Sequence, residues 1–418
     1  HVKRHSFPTR RSSDLSASSL ATIELCAHGA LPTQLVDLGH DNDPQILRYL
    51  DLRRGPANWR APVVVESNGQ PCVHVFDGRS GWGEPDLNQW CQRVALRGDG
   101  AWVGVLDPGR LTIVRADQVG DQIRPVRHTV ARPDQLILPS LINDLSAGQS
   151  DIARRTFLIR LLNASAKNAN SLGLSQHDSL SLIGRGLFWR FLVDRGVLSG
   201  HEPAQVCASA RTWEQCLDDK GRAIETFAWL DATFNGGLLP FSAPVDKFDD
   251  ELFTHVLGNI AHGATDAGQL RLPTDWREIN FAFIPVGLLS EVYESFAHDI
   301  DRQSARESSV HYTPPQIAEF VVRQSMAQLP ESDRPRVLDP AAGAGVFLTT
   351  AFRQLVAREW AATGHRPGRK AIRRILKSQI TGFDIDARAL RLAELGLYLT
   401  ALELDPDPRP LAELKFDA

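Results

Sequence analysis

A chain of 418 residues with 43% hydrophobic content carries enough apolar material for a large core and should divide into two or three domains. A formal charge of −4 excludes a global basic field for recruiting nucleic acid, so any such contact must come from local patches. No apolar run approaches the length of a membrane span. The five cysteines (Cys26, Cys72, Cys91, Cys207, Cys216) are scattered without CxxC or zinc spacing, which fits free thiols in a reducing cytoplasm.

Residues 1–15 (HVKRHSFPTRRSSDL) are basic but have no apolar h-region, so they fit no secretory signal. They resemble translated sequencing adapter and read as a non-native leader; a basic DNA-binding arm is the alternative. Residues 16–123 read as a small α/β or β-rich domain. Ala61 to Glu66 and Cys72 to Phe76 are β-branched runs joined across Ser67-Asn68-Gly69-Gln70, a hairpin signal. Asp86 to Leu96 has helical spacing. Trp102 to Leu106 and Leu111 to Val114 predict a second hairpin across Asp107-Pro108-Gly109.

Arg124 to Pro139 reads as a polar linker, and residues 140–300 as a helical domain. Phe157, Leu158, Leu161 and Leu162 form one apolar stripe. Leu187 to Gly196 predicts an amphipathic helix closed by a Gly C-cap, and Ile284 to Phe296 another with Pro285 in its first turn. Arg190, Asp194 and Arg195 form either a helix-face ion-pair group or a functional cluster, and the spacing favours the ion pair.

Residues 301–418 have a different character. Arg336-Val337-Leu338-Asp339 is a short apolar run ending in an acid. Pro340-Ala341-Ala342-Gly343-Ala344-Gly345 is a small-residue loop, and Val346-Phe347-Leu348 opens a helix. Strand, tight loop and helix in that order predict the first turn of a nucleotide-binding α/β sheet. Gly343 and Gly345 let the backbone bend sharply and let a ligand approach it. The helix start offers unpaired N–H groups. The dinucleotide fingerprint fails, because Leu348 stands where its third Gly belongs; read alone, the loop also fits an ordinary tight turn. Upstream lies His311-Tyr312-Thr313-Pro314-Pro315-Gln316, followed by Ile317, Phe320 and Val321 at helical spacing. Downstream, Ile380 to Asp386 reads as a second strand ending in acids, and Ala387 to Leu404 as a helix. Between them Arg366 to Lys377 is densely basic, and predicts a solvated helix face with Ile372, Ile375 and Leu376 inward, or else a phosphate contact.

These three stretches, in this order, resemble the N6-adenine DNA methyltransferases whose cofactor motifs precede the catalytic one, especially the large restriction–modification enzymes of the type IIG kind. The resemblance implies S-adenosylmethionine as cofactor. It places Tyr312, Thr313 and Pro314 over the methionine end, and wraps the loop of Asp339, Ala341, Gly343 and Gly345 around it. Asp384 takes the ribose diol, with charge-assisted bonds worth roughly 1.5–3 kcal/mol each, and Ile385 packs on the adenine. Asp384 as a plain strand-end cap stays open, and Asp386 suits a helix N-cap.

The fold class that follows is α/β: an incomplete Rossmann-like methyltransferase core preceded by a helical domain and a small α/β N-terminal domain. The sequence stops at Ala418 without the family's Asn/Asp-Pro-Pro-Tyr/Phe motif, so no catalytic residue is assigned and a longer protein is expected. The expected partner of that longer protein is double-stranded DNA with a flipped adenine, though cytosine N4 stays open as the target. It would work in the cytoplasm, in a restriction–modification or phage-defence system. Two other readings remain: a bifunctional restriction endonuclease–methyltransferase, and a non-catalytic scaffold subunit that kept the cofactor fold. For the nuclease, Asp37, Asp51, Glu66 and Asp77 are the available metal-binding acids. Ser67-Asn68 after Glu66 leaves no Glu-x-Lys, so they are expected to be surface or turn residues, with no metal site.

Overall fold

A computed structural model describes residues 33–39, 42–53, 62–67, 70–77, 87, 90–91, 93–94, 97, 102–107, 110–115, 128–130, 151–198, 201–234, 239–262, 281, 286, 313–330 and 333–406. The chain falls into two compact units, His1–Asp151 and Ile152–Ala418.

The first unit is built on a six-stranded sheet. Its strands are β1 (Thr33–Asp37), β2 (Val63–Ser67), β3 (Gln70–Asp77), β4 (Trp102–Asp107), β5 (Arg110–Arg115) and β6 (His128–Val130), adjacent in chain order. Every neighbouring pair is antiparallel except β3 and β4, which run parallel. Both expected hairpins form, since each joins β-branched runs across a turn-forming tetrad. A parallel step needs a crossover long enough to return the chain. Between β3 and β4 the described residues from 87 to 97 are helical, as expected for Asp86 to Leu96. Trp90 is buried there, its ring edge-on to Phe76 with centroids 4.9 Å apart. Val63, Val64 and Val65 are all buried, so β2 is covered on both faces. The stretch read as a polar linker contains β6, which pairs with β5 through Leu111 opposite Val130. Main-chain bonds make this three-residue strand, so it leaves no apolar alternation in the sequence.

The second unit begins with α1 (Asp151–Ser171), α2 (Gln176–Asp194) and α3 (Lys220–Thr233). A π-helical turn, Leu252–Leu257, then runs into α4 (Gly258–His262). On α2, Leu182, Ile183, Leu187, Phe188, Trp189, Phe191 and Leu192 are all buried, which makes it the central helix of this region. Its end is the expected glycine cap. Gly196 has φ +63°, its N–H bonds to the Val193 carbonyl, and the Val197 N–H reaches back to Leu192, the two bonds of a Schellman motif. Of the α1 stripe, Leu161 and Leu162 are buried. The helix expected over Ile284 to Phe296 lies outside the described residues apart from Val286.

The remainder of the unit is α5 (Pro315–Ala327), β7 (Val337–Asp339), α6 (Val346–Thr363), α7 (Arg369–Gln379), β8 (Ile380–Gly382) and α8 (Ala387–Leu404). Strands β7 and β8 are parallel neighbours, Val337 opposite Ile380 and Asp339 opposite Gly382, connected through α6 and α7. Helix α7 turns Ile372 and Ile375 inward, as its spacing predicts, while Leu376, the third residue expected there, is half-buried. Its cations meet neighbouring helices: Arg374 pairs with Glu359, and Arg369 with Asp405 at 2.8 Å.

Helix α8 ties this part to the helical region. Tyr398 stands edge-on to Phe234 with ring centroids 5.1 Å apart, and the buried Glu403 lies between Arg195 and Arg353. Burial pushes the Glu403 carboxyl up, but the two guanidinium groups outweigh it and hold it at about 2.

Candidate functional site

The site forms where β7 and β8 end side by side. Past the strands the two chains stay bonded: the Phe383 N–H donates to the Asp339 carbonyl and the Ala342 N–H to the Phe383 carbonyl, both at 2.8 Å. The chain after β7 then turns through Gly343 and Gly345, at φ +53° and +85°. Asp384 holds this turn. One of its oxygens accepts the Gly343 N–H at 2.8 Å, and the other accepts the Asp386 N–H at 2.8 Å. Each carboxylate oxygen has two lone pairs, so Asp384 retains capacity for further donors.

Asp339 accepts the Ala341 N–H through Oδ1 at 3.1 Å, while its Oδ2 is buried and accepts no hydrogen bond. Helix α6 starts directly after Gly345, which has no side chain to cap it, so the first-turn N–H groups face the loop without a side-chain acceptor. Ile385, next to Asp384, is fully exposed, and Phe383 is 60% exposed. The arrangement is a rim of N–H donors and two carboxylates beside a bare apolar side chain.

Residues 286–408 match the family model described as N-6 DNA Methylase. The match is confined to that segment. No curated protein matches the chain. Among solved structures, the chain is similar to that titled "cryoEM structure DrdV-DNA complex", with 14% identity and a TM-score of 0.31. The similarity covers 83% of this chain and 33% of that one, so this chain spans about a third of the length of the protein it matches.

Within the matched segment the structure brings Asp339, Ala341, Gly343, Gly345, Asp384 and Ile385 to one strand edge. Thr313 and Pro314 lead into α5, where the Pro314 carbonyl accepts the N–H groups of Ile317 and Ala318. Tyr312 lies outside the described residues. Asp386 stands just before α8, its carbonyl accepting the Leu390 N–H, the position of an N-cap. Gly345 has a purpose that the motif alone does not reveal. A Cβ built on it would lie 2.8 Å from the Ala393 Cβ and 2.9 Å from its Cα, so α8 occupies the space that glycine leaves. The apolar residues after the Thr-Pro-Pro run divide: Ala318, Val322 and Met326 are buried, while Ile317, Phe320 and Val321 are 53%, 60% and 43% exposed.

The other candidates part from the site. Asp51 and Glu66 are buried rather than at the surface. Asp51 pairs with Arg97, and Glu66 accepts from Arg48 at 2.7 Å and the Tyr49 hydroxyl at 2.5 Å. Buried carboxylates need such cations, and Arg48 and Arg97 are too distant in sequence to announce the pairing. Asp37 caps the Gly39 N–H at 2.9 Å, as a turn residue does. Among the described residues no three of His, Cys, Asp and Glu are grouped to hold a metal ion. Arg190 and Asp194 form the expected i,i+4 pair at 3.1 Å, with Asp194 also accepting the Phe281 N–H at 2.9 Å. Arg195 leaves that group for Glu403.

Proposed function

We propose that this chain is part of an adenine-specific DNA methyltransferase of a restriction–modification or phage-defence system, and that the β7–β8 edge binds S-adenosylmethionine. The observation that carries the proposal is the bond from the Gly343 N–H to Asp384. It sets the acid of the second strand onto the glycine loop of the first. The residues present fit the cofactor: a buried Oδ2 on Asp339 awaits a donor, Asp384 has spare lone pairs for a diol, and Ile385 offers a bare apolar surface to a purine ring.

When bound, S-adenosylmethionine supplies an electrophilic methyl group on a sulfonium. The chain's own residues bind and orient. Asp384 accepts the ribose hydroxyls while it keeps the loop closed, and Ile385 covers the adenine. Asp339 and the first-turn N–H groups of α6 would take the methionine side, and Tyr312, Thr313 and Pro314 are assigned to the same pocket by the order of the motifs. The reading makes double-stranded DNA the partner.

Titration of S-adenosylmethionine by calorimetry tests the site. The wild type binds, and Asp384→Ala weakens binding on the order of 100-fold or more, since two charge-assisted bonds are lost. A chain that binds no cofactor is instead the scaffold subunit. Ile385→Ser is a sharper probe. Its side chain touches nothing in the free protein, so stability should stay within roughly 0.5 kcal/mol while affinity falls about 10-fold. Unchanged affinity would remove Ile385 from the adenine site.

A further inference from the structure

The described residues contain one non-glycine in the left-handed backbone region, Leu239, at φ +52°. A branched aliphatic side chain is unfavourable there, and such a conformation persists only where its surroundings enforce it. The surroundings are visible. The Leu239 carbonyl accepts Arg185 Nε at 3.1 Å, and the Pro240 carbonyl accepts Ser181 Oγ at 2.9 Å. The Ser242 N–H donates to Asp178 at 2.6 Å. Asp178, Ser181 and Arg185 lie along one side of α2, the most deeply buried helix of the region, and all three are themselves buried. Arg185 is held in turn by Asp231 on α3, at 3.0 Å.

What this clamp accomplishes is set by where the Leu239 side chain goes. It is 6% exposed and shares one buried cluster with Ala344, between the two glycines of the loop, and with Leu392 of α8; Leu180 and Leu395 pack against that cluster. The loop is thus held from three directions. Asp384 bonds it at Gly343, Ala393 lies against Gly345, and Leu239 joins Ala344 in one buried cluster from the helical region. Asp384 and Ala393 belong to the β8–α8 hairpin that faces the loop; Leu239 comes from more than a hundred residues earlier in the chain.

We propose that Leu239 is a positioning residue: held in its left-handed conformation by α2, it fixes the Gly343–Gly345 turn and thereby sets the affinity of the cofactor pocket. The affinity half rests on the function proposed above; the loop half does not. Filling the space beside Ala344 keeps the Gly343 N–H directed at Asp384 before any ligand arrives, so the ordering of the loop is not charged against binding. Loss of the side chain leaves a void that the turn can relax into.

The test compares wild type, Leu239→Ala, Leu239→Met and, as a control for core damage away from the loop, Leu252→Ala. Two quantities are read on the folded, ligand-free chain and on its titration: hydrogen exchange at the amides of Ala342 to Gly345, and S-adenosylmethionine affinity. Leu239→Ala should speed exchange at those amides at least 10-fold and weaken binding about 10-fold. Leu239→Met, which refills the space, should restore both, and Leu252→Ala should change neither beyond what its loss of stability spreads over all amides. Loop exchange in Leu239→Ala matching that in Leu252→Ala would overturn the proposal. So would fast exchange with cofactor affinity unchanged. If the wild type binds no cofactor, the affinity half falls with the function, and the exchange result alone decides whether Leu239 braces the loop.

Discussion

Glu403→Ala should lower the free energy of unfolding by about 3–5 kcal/mol, because it removes the buried carboxylate that two guanidinium groups share. Arg195 and Glu403 are 1% and 2% exposed, and Arg353 is 19% exposed, so water cannot take over the role of the carboxylate. Replacing all three at once, Arg195→Met with Glu403→Leu and Arg353→Met, should recover most of the loss, since an apolar trio of similar volume needs no charge compensation. Urea unfolding at neutral pH measures both. If the single and triple variants are equally destabilised, the charges are not what holds this junction. The same carboxylate predicts an acid limit. Its value in the folded protein is about 2 against 4.5 for the free group, so its contribution is complete above pH about 4.5 and is lost as pH falls toward 2. The shift corresponds to about 3 kcal/mol. Between pH 5 and pH 2.5 the wild type should therefore lose more stability than the triple variant, and parallel losses would show that another group titrates.

Gly345→Ala should cost about 2–5 kcal/mol. The backbone at φ +85° is unfavourable for any residue with a Cβ, by about 1–2 kcal/mol. The added methyl also meets Ala393 at 2.8 Å, where backbone and not a flexible tip must move, adding overpacking of about 1–3 kcal/mol. Gly345→Ala with Ala393→Gly relieves the Cβ contact but leaves the one with the Ala393 Cα at 2.9 Å, so it should regain only part of the packing term, offset by about 1 kcal/mol for a glycine inside α8, and none of the conformational part. Thermal unfolding of the three proteins checks this. A Gly345→Ala cost no larger than the about 1–2 kcal/mol of the backbone conformation would mean that α8 shifts freely and that the close approach is not a constraint.

Both residues show the limits of reading motifs. The glycines of Asp339-Pro340-Ala341-Ala342-Gly343-Ala344-Gly345 were legible as a turn after a strand, because only glycine adopts positive φ without cost and the surrounding pattern switches from apolar run to helix. That Gly345 also makes room for α8 was not legible, since Ala393 is an unremarkable helix residue until the helix is laid across the loop. Glu403 reads as one more charge in an amphipathic helix; Arg195 read as one of a local helix-face group. Their meeting, like that of Glu66 with Arg48 and Tyr49, depends on elements brought together from distant parts of the chain.

What the sequence determined by itself was local: the paired hairpins of the first unit, the Schellman end of α2, the inward face of α7, and a strand–loop–helix at Asp339 followed by a second acid-tipped strand at Asp384. Each of these is decided within a few residues by turn chemistry, periodicity or capping. The tertiary structure decided the rest: that β6 completes the first sheet, that Asp51 and Glu66 are buried against arginines, and that a leucine held in an unfavourable conformation shares a buried cluster with the glycine loop. Main-chain pairing, charge compensation and void filling act through space between residues far apart in the chain, and no window of the sequence contains both sides of such a contact.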